Sequence, residues 1–124
     1  MRIQESAENY LEMILILSKT NEKVRSIDIA NKLKFSKPSV SVAMKNLKKD
    51  GYIDIDEGGF ITLSKTGRKI AETMYERHTL LSDWLIELGI DKDTALTDAC
   101  RMEHTLSTKS FKAIKQYIEE NKLK

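Results

Sequence analysis

The chain lacks the features that mark secreted and membrane proteins. A single cysteine, Cys100, among 124 residues excludes an internal disulfide and fits a reducing compartment. No apolar run is long enough to cross a bilayer, and no signal-peptide pattern opens the chain. We therefore expect a cytoplasmic protein that has no membrane partner.

Aromatic residues are also scarce, at 6% of the chain, so leucine, isoleucine and the five methionines must fill most of the core. Hydrophobic residues make up 40% and charged residues 32%, a balance typical of folded rather than disordered chains. The formal net charge is only +2, which permits nucleic-acid binding without demanding it, because the position of the charges matters more than their sum. The length suits one compact unit or two small lobes.

The first half of the chain has the pattern of a winged helix-turn-helix. Residues 5–18 carry a broad apolar face at helical spacing. The ranges 26–33 and 36–49 each begin with a serine that is placed to cap a short helix. Residues 52–63 form two strand-like runs around a Gly-Gly turn, which predicts a β-hairpin. Two short helices joined by a tight turn and followed by a hairpin give this fold.

The second half of the chain is predicted to be helical throughout. Ser64 is placed to cap a long helix, and Gly89 is placed to end it. A further helix is expected to begin at Asp91 or Asp93, and a last one is capped by Ser107.

These elements predict a mainly α fold with two domains. A winged helix-turn-helix DNA-binding domain with a small β-hairpin wing is expected at residues 1–73, followed by an all-α dimerisation domain at residues 74–124. The second domain is too small to bury three amphipathic helices by itself, so we expect a homodimer. Apolar positions of its helices supply the predicted dimerisation residues: Leu81, Leu85, Phe111, Ile114 and Ile118.

The third predicted helix favours DNA binding. Small polar residues near its start allow close approach to base edges and phosphates, two apolar residues can contact thymine methyl groups, and lysines can neutralise phosphates. Two residues at the start of the preceding helix, Arg25 and Ser26, are added to this set. The predicted DNA-binding residues of the third helix are Ser36, Lys37, Pro38, Ser39, Ser41, Val42 and Lys45. The alternative is that this helix face is lysine-rich only because it is solvated. Many winged helices also bind protein instead of DNA.

Three metal-binding side-chain types share one predicted helix near the end of the chain. Cys100, Glu103 and His104 lie three and four residues apart, so they project from one helix face. A thiolate, a carboxylate and an imidazole are the side-chain ligands of first-row transition metals. The alternative is that Cys100 is a small buried hydrophobic residue, Glu103 is solvated and His104 is satisfied in a core.

Five segments of the chain carry a resemblance to one family: Ala7–Glu12, Ser36–Ser41, Leu63–Gly67, Arg77–His78 and Ala99–Ser107. Together they make the chain similar, over nearly its whole length, to the DtxR/MntR family of metal-dependent transcriptional repressors. The resemblance implies a repressor rather than an enzyme, and a homodimer that binds a pseudo-palindromic double-stranded DNA operator. It also implies that a divalent metal ties the first helix to the second domain, which becomes the predicted metal-binding domain.

The resemblance implies a larger set of ligands than the spacing alone predicts. Residue by residue, the implied metal ligands are Asn9, Glu12, His78, Cys100, Glu103 and His104. Glu12 matches the manganese-sensing branch of the family, whereas Cys100 matches the iron-sensing branch. Asn9 stands where the two branches have aspartate or methionine, and its neutral amide oxygen would be a weaker ligand.

The implied physiological metal is Fe(II) or Mn(II), with Co(II), Ni(II) or Zn(II) able to substitute in vitro. Cys100 tips the expectation slightly towards Fe(II). An accessory metal site of the iron-sensing branch is expected to be incomplete, because Ser82 and Leu96 stand where that branch has an acid and a histidine. The SH3-like third domain of the larger family members is also expected to be missing.

Two other functions are open at this point. The first is a metal-independent winged-helix regulator that senses a small molecule or oxidation of the Cys100 thiol. The second is a metalloenzyme, in which a bound metal ion with an open coordination position would activate water. Against the enzyme, so short a chain shows no evident substrate cleft and no additional acid or base.

Overall fold

The computed structural model describes residues 5–122, which form six helices and one two-stranded sheet. In chain order the elements are α1 (Glu5–Thr20), α2 (Ser26–Leu33), α3 (Lys37–Lys49), β1 (Ile53–Ile55), β2 (Ile61–Leu63), α4 (Lys65–Glu87), α5 (Lys92–Thr105) and α6 (Thr108–Lys122). This architecture confirms the predicted fold class, a winged helix-turn-helix followed by helices. None of the helices over this range is both long and apolar enough to cross a membrane.

The chain divides into two compact units, Met1–Thr73 and Met74–Lys124, and the boundary falls inside α4. In the first unit, α1, α2 and α3 pack their apolar faces together with the sheet. The buried residues of this core include Leu11, Ile14, Leu15, Ile29, Val40, Met44, Leu47, Ile53 and Ile61. They recur three and four residues apart on the helices, the spacing that places side chains on one face.

Helix α3 begins and ends where its sequence directs. The Ser36 hydroxyl accepts a hydrogen bond from the Ser39 backbone N–H at 3.3 Å, and Pro38 lies in the first turn, where its missing N–H costs no helical bond. Gly51 follows the helix with φ of +84°, a conformation that glycine adopts without strain.

The start of α2 differs from the prediction. Ser26 is the first residue of the helix, not its cap, and Arg25 occupies the N-cap position. The Asp28 carboxylate accepts a hydrogen bond from the Arg25 backbone N–H at 2.9 Å. An acid in the first turn therefore satisfies a free backbone donor there, as the acid of a capping box does.

The wing is an antiparallel hairpin in which Ile53 pairs with Leu63 and Ile55 with Ile61. One Asp56 oxygen, Oδ1, accepts hydrogen bonds from the backbone N–H groups of Gly58 and Phe60, each at 2.9 Å. The acid at the tip thus organises the turn. Val24 forms an isolated bridge with Ile61, so a third segment of backbone flanks the hairpin.

The second unit contains the C-terminal part of α4 together with α5 and α6. Its core centres on Leu81, Ala99 and Phe111, with Trp84 and other partly buried side chains around them. As predicted, Gly89 follows α4 with φ of +99°, and Ser107 accepts a hydrogen bond from an N–H at the start of α6. Of the two acids that the sequence offers for the start of α5, Asp91 is the cap.

The predicted dimerisation residues differ in how much surface they expose. Leu81 is fully buried, and Phe111 and Ile118 are 5% and 3% exposed. Leu81 and Phe111 belong to the core of their own unit, so these side chains have almost no surface left for a second copy. Leu85 and Ile114 are only partly buried and can still contribute.

One glycine fixes how closely α4 approaches the loop before the hairpin. A Cβ at Gly67 would overlap the backbone carbonyl oxygen of Tyr52. The Ser64 hydroxyl reinforces this junction, because it accepts a hydrogen bond from Gly67 N–H at 3.1 Å and donates one to the Gly51 carbonyl at 2.7 Å.

We expect Gly67→Ala to destabilise the protein by about 1–3 kcal/mol, because the added methyl group meets rigid backbone and the helix must shift. Urea unfolding followed by circular dichroism measures the change. The control is Gly58→Ala, in which the new methyl group meets mainly the edge of the Phe60 ring, at 3.0 Å, a side chain that can move. Equal stability losses in the two variants would contradict this account of the α4 junction.

Candidate metal centre and DNA-binding surface

Helix α5 presents three candidate ligands from its last two turns. Cys100, Glu103 and His104 offer a sulfur, a carboxylate oxygen and an imidazole nitrogen that all lie within 4.8 Å of one another. Glu103 is 1% exposed and His104 8%, whereas Cys100 is partly exposed. The spacing of three and four residues on a regular helix produces this convergence, as predicted from the sequence.

The Glu103 carboxylate also meets a fourth candidate ligand, His78 of α4. His78 Nδ1 lies 3.1 Å from Glu103 Oε2, and His104 Nε2 lies 3.2 Å from Glu103 Oε1. Each carboxylate oxygen therefore faces a different imidazole. Two residues that the sequence separates widely are thus brought together within the second unit.

This cluster fits a divalent cation. A buried carboxylate costs free energy unless positive charge or hydrogen bonds compensate it. Here the compensating groups are imidazoles, and a thiol stands beside them, which together make a donor set for Fe(II), Mn(II), Co(II), Ni(II) or Zn(II). These side chains can hold an ion, and their burial would limit the access of water to it.

The remaining predicted ligands, Asn9 and Glu12, lie on α1 in the first unit. Glu12 is 6% exposed and Asn9 is partly buried. Their participation in the metal centre stays a prediction. Ser82 is buried, its hydroxyl donates to the Thr79 carbonyl at 3.2 Å, and Leu96 is apolar, so neither residue supplies a metal ligand of the accessory site.

Sequence reasoning did not assign a role to Arg77, which precedes His78. Its side chain is buried, and Nη1 donates hydrogen bonds to the backbone carbonyls of Glu103, at 2.9 Å, and Leu106, at 2.7 Å. The signal in the sequence is its place beside His78 in one of the five segments that carry the family resemblance. Its burial depends on contacts with α5 and α6, which local spacing does not reveal.

In the first unit, α3 presents the predicted DNA-binding face to solvent. Its apolar residues point into the core, and all of the predicted residues from Ser36 to Lys45 are exposed. Val42 is 59% exposed, an unusual position for an apolar side chain and one that suits contact with a thymine methyl group. Arg25 is also exposed, whereas Ser26 is half-buried.

Two cations lie on one aromatic ring in the turn of the wing. The Arg25 guanidinium is 4.4 Å and the Lys23 ammonium 4.6 Å from the centre of the Phe60 ring. Sequence analysis missed Lys23, although its spacing of two residues from Arg25 puts both on one side of an extended segment.

Comparison with known proteins identifies the family. The family model described as "Iron dependent repressor, N-terminal DNA binding domain" matches residues 2–58, and "Iron dependent repressor, metal binding and dimerisation domain" matches residues 64–123. The chain belongs to the DtxR/MntR family of metal-dependent transcriptional repressors. It is 31% identical to an uncharacterized HTH-type transcriptional regulator of Methanocaldococcus jannaschii, over 97% of this chain and 98% of that protein.

Two further relatives of the DtxR/MntR family are similar to the chain. The HTH-type transcriptional regulator MntR of Bacillus subtilis is 33% identical, over 94% of this chain and 84% of the relative. The solved structure of a manganese-dependent transcriptional repressor in complex with manganese superposes with a TM-score of 0.81 and 29% identity, over 91% of this chain. The chain spans about half the length of that solved protein, 52%.

Membership of the DtxR/MntR family confirms several predictions together. The family consists of DNA-binding transcriptional regulators rather than enzymes, so the metalloenzyme alternative is wrong. Its members respond to divalent metals such as manganese and iron, and its C-terminal domain is a dimerisation domain.

The helix that carries three candidate ligands begins at a titratable cap, which gives a pH-dependent prediction. The pKa of Asp91 is lowered from 3.8, first because its carboxylate accepts a hydrogen bond from the Thr94 backbone N–H. A carboxyl group whose folded pKa is depressed stabilises the fold above its unfolded pKa and loses that contribution as the pH falls through the folded value.

We therefore expect wild type to be more stable than Asp91→Asn at neutral pH, and the difference to shrink as the pH falls below about 3.8. Urea unfolding of both proteins between pH 2.5 and 7 measures this difference. Asp93→Asn, at an exposed first-turn acid that is not the cap, is the control and should show a smaller effect. A difference independent of pH would contradict the role of the ionised cap.

Proposed function

We propose that this chain is a homodimeric repressor that binds its operator when Fe(II) or Mn(II) occupies a site built on Glu103. The single observation that carries the proposal is the convergence of the His78 and His104 imidazoles on opposite oxygens of that buried carboxylate. Cys100 supplies a thiol at the same site. The family membership supports a regulatory role for a metal bound by this donor set.

A bound ion would supply two positive charges that neutralise the Glu103 carboxylate and the Cys100 thiolate. Glu103 presents one oxygen towards each imidazole. His104 would bind the ion from the same helix as Glu103, and His78 would bind it from α4. The thiol favours Fe(II), whereas the carboxylate suits Mn(II) as well, so both metals remain candidates.

Glu12 and Asn9 are the ligands that we propose for α1. Glu12 has the stronger support, because it is 6% exposed and its carboxylate is a charged oxygen donor of the kind that Mn(II) and Fe(II) bind. Asn9 is one turn earlier on the same helix and offers a neutral amide oxygen. Ligands from α1 together with those of α4 and α5 would make metal binding restrict the movement of the DNA-binding unit.

Such a restriction can act as a switch only if the ion binds one conformation better than others. A ligand shifts a conformational equilibrium by the difference between its affinities for the two states. In a dimer with two recognition helices, the favoured conformation would be the one whose helix spacing matches two half-sites a helical turn apart. The operator is accordingly proposed to be pseudo-palindromic double-stranded DNA.

The DNA contacts are proposed to come from α3 and from the residues before α2. Ser36, Ser39 and Ser41 would approach base edges and phosphates, Pro38 and Val42 would contact thymine methyl groups, and the lysines would contact phosphates. Support comes from the exposure of all these side chains on one helix. Arg25, whose guanidinium lies over the Phe60 ring, is proposed to contact a DNA phosphate.

The dimer contacts are proposed to lie on exposed apolar residues near the end of α4 and on α6. Ile86, Leu88, Ile90 and Tyr117 are between 37% and 62% exposed, although each is a large apolar or aromatic residue. Trp84 and Leu88 border a groove with Tyr117. A second copy would remove this surface from water, which is the main driving force for association.

The first test concerns the metal. Glu103→Gln keeps the size of the side chain but removes its charge and one oxygen acceptor. Because Glu103 is a proposed direct ligand, we expect the loss of affinity for Mn(II) or Fe(II) to exceed the roughly 10–100-fold loss that follows removal of an outer-shell partner. Affinity is measured by anaerobic competition with a chromophoric chelator. DNA binding is measured by gel shift on duplexes that wild type selects from a random pool in the presence of Mn(II).

The control is Glu119→Gln, at an exposed glutamate of α6, which should keep the affinities of wild type for metal and for DNA. If wild type bound the selected duplexes equally well with and without metal, the metal switch would be disproved. That result would favour the metal-independent regulator considered above.

The second test concerns the dimer. We expect Leu88→Glu to convert the protein to monomers at micromolar concentration while the fold is kept, because a charge would replace a side chain that is 62% exposed in the single chain. Leu81→Ala should instead cost about 2–5 kcal/mol of folding stability. Sedimentation equilibrium and thermal unfolding distinguish the two effects, and a Leu88→Glu dimer as tight as wild type would refute the proposed face.

A further inference from the structure

Arg77 is a charged side chain that the second unit buries beside its candidate metal ligands. It is 6% exposed, and its guanidinium is a cation with five hydrogen-bond donors. Burying a cation is costly unless its donors and its charge are compensated. The contacts that compensate Arg77 therefore indicate what it does.

Those contacts lie at the C-terminal end of α5. Arg77 Nη1 donates to the carbonyl oxygens of Glu103, at 2.9 Å, and Leu106, at 2.7 Å. Because α5 ends at Thr105, the Glu103 carbonyl is among the last four, which have no acceptor role inside the helix. The negative end of the helix dipole also attracts the cation. The guanidinium lies 5.2 Å from the centre of the Phe111 ring of α6.

Arg77 and its neighbour His78 contact the same residue from two directions. Arg77 binds the backbone of Glu103, and the His78 imidazole lies against the Glu103 side chain. A movement of the last turn of α5 relative to α4 would therefore disturb both contacts together. Metal binding is sensitive to such movement, because ligand distances must hold to within about 0.2 Å.

Stability alone does not account for an arginine at this position. Its Nε is buried without a hydrogen-bond partner among residues 5–122, and an unmet buried donor is unfavourable. An apolar side chain of similar length would avoid this cost and could still pack on Phe111. What an apolar side chain could not do is hold the two carbonyls that end α5.

We propose that Arg77 is a positioning residue for metal binding, which fixes the last turn of α5 so that Glu103 and His104 meet His78. The proposal rests on the proposed function, because it assumes that these side chains bind the ion. Arg77 itself does not touch the ion in this account. It acts through the backbone of a ligand.

The test compares Arg77→Met with Arg101→Met. Arg101 is an exposed residue of α5 directly after Cys100, so its variant removes the same charge near the site without removing the two carbonyl contacts. For Arg77→Met we expect Mn(II) affinity to fall about 10–100-fold and the visible absorption bands of the Co(II) form to change. Arg101→Met should match wild type in both measurements. A loss of stability alone would leave the spectrum of the loaded, folded protein unchanged.

Hydrogen exchange of the metal-free proteins gives a second readout. The amides at the end of α5 should exchange faster in Arg77→Met than in wild type, while those of α1 to α3 stay the same. If Arg77→Met does not fold, Arg77→Lys serves instead, because it keeps the charge but lacks the planar fork, and the same changes should then be smaller.

Wild-type affinity, Co(II) spectrum and amide exchange in the variant would overturn the positioning role. If wild type itself bound no metal, the proposed function would fail. Faster exchange at the end of α5 would even then show that Arg77 holds that turn, so the two failures are distinguishable.

Discussion

A carboxylate buried between two imidazoles sets most of the constraints in the second unit. Glu103 is 1% exposed, and removing a carboxylate from water is favourable only when surrounding groups replace its hydration. His78 and His104 are placed for this on opposite oxygens. This requirement fixes the rotation of α5, because Glu103 must face inward, and it fixes the position of α4, because His78 must reach the same oxygen atoms.

The two ends of α5 are also held in place. Asp91 caps its start, and Arg77 binds its final carbonyls, so both ends of the helix are held. A regular helix between fixed ends keeps residues three and four apart on one face. Cys100, Glu103 and His104 consequently need no special backbone conformation, and their chemistry follows from spacing and from anchoring at the two ends.

The sequence predicted those features that depend on neighbouring residues. The caps at Ser36 and Ser107 and the glycines that end α3 and α4 are predictable because a cap or a stop acts within one turn of helix. The cap of α2 was misassigned because serine is the usual N-cap, whereas here the acid at position 28 satisfies the Arg25 N–H.

Features that depend on tertiary packing were harder to predict. The apolar stripe through Leu81 and Phe111 predicts a dimer face from its spacing, whereas in the structure both side chains lie in the core of their own unit. Periodicity shows that a face is buried and does not show by what. Arg77 was missed for a related reason, since its partners are backbone carbonyls about 26 and 29 residues away, which have no signature in the sequence.

The size of the second unit links stability to regulation. Its core is small, Leu88 and Tyr117 are left exposed, and a domain of this size gains less from burial than a larger one. Anything that binds the folded state but not the unfolded chain stabilises it by mass action. A metal held by Glu103 and a second copy held on the apolar face would each contribute in this way. On the proposed metal site and dimer face, both would bind the same ordered arrangement of α4, α5 and α6, so metal binding and dimerisation would reinforce each other. A small core would then be sufficient, because the effector and the partner would add to the stability of the unit.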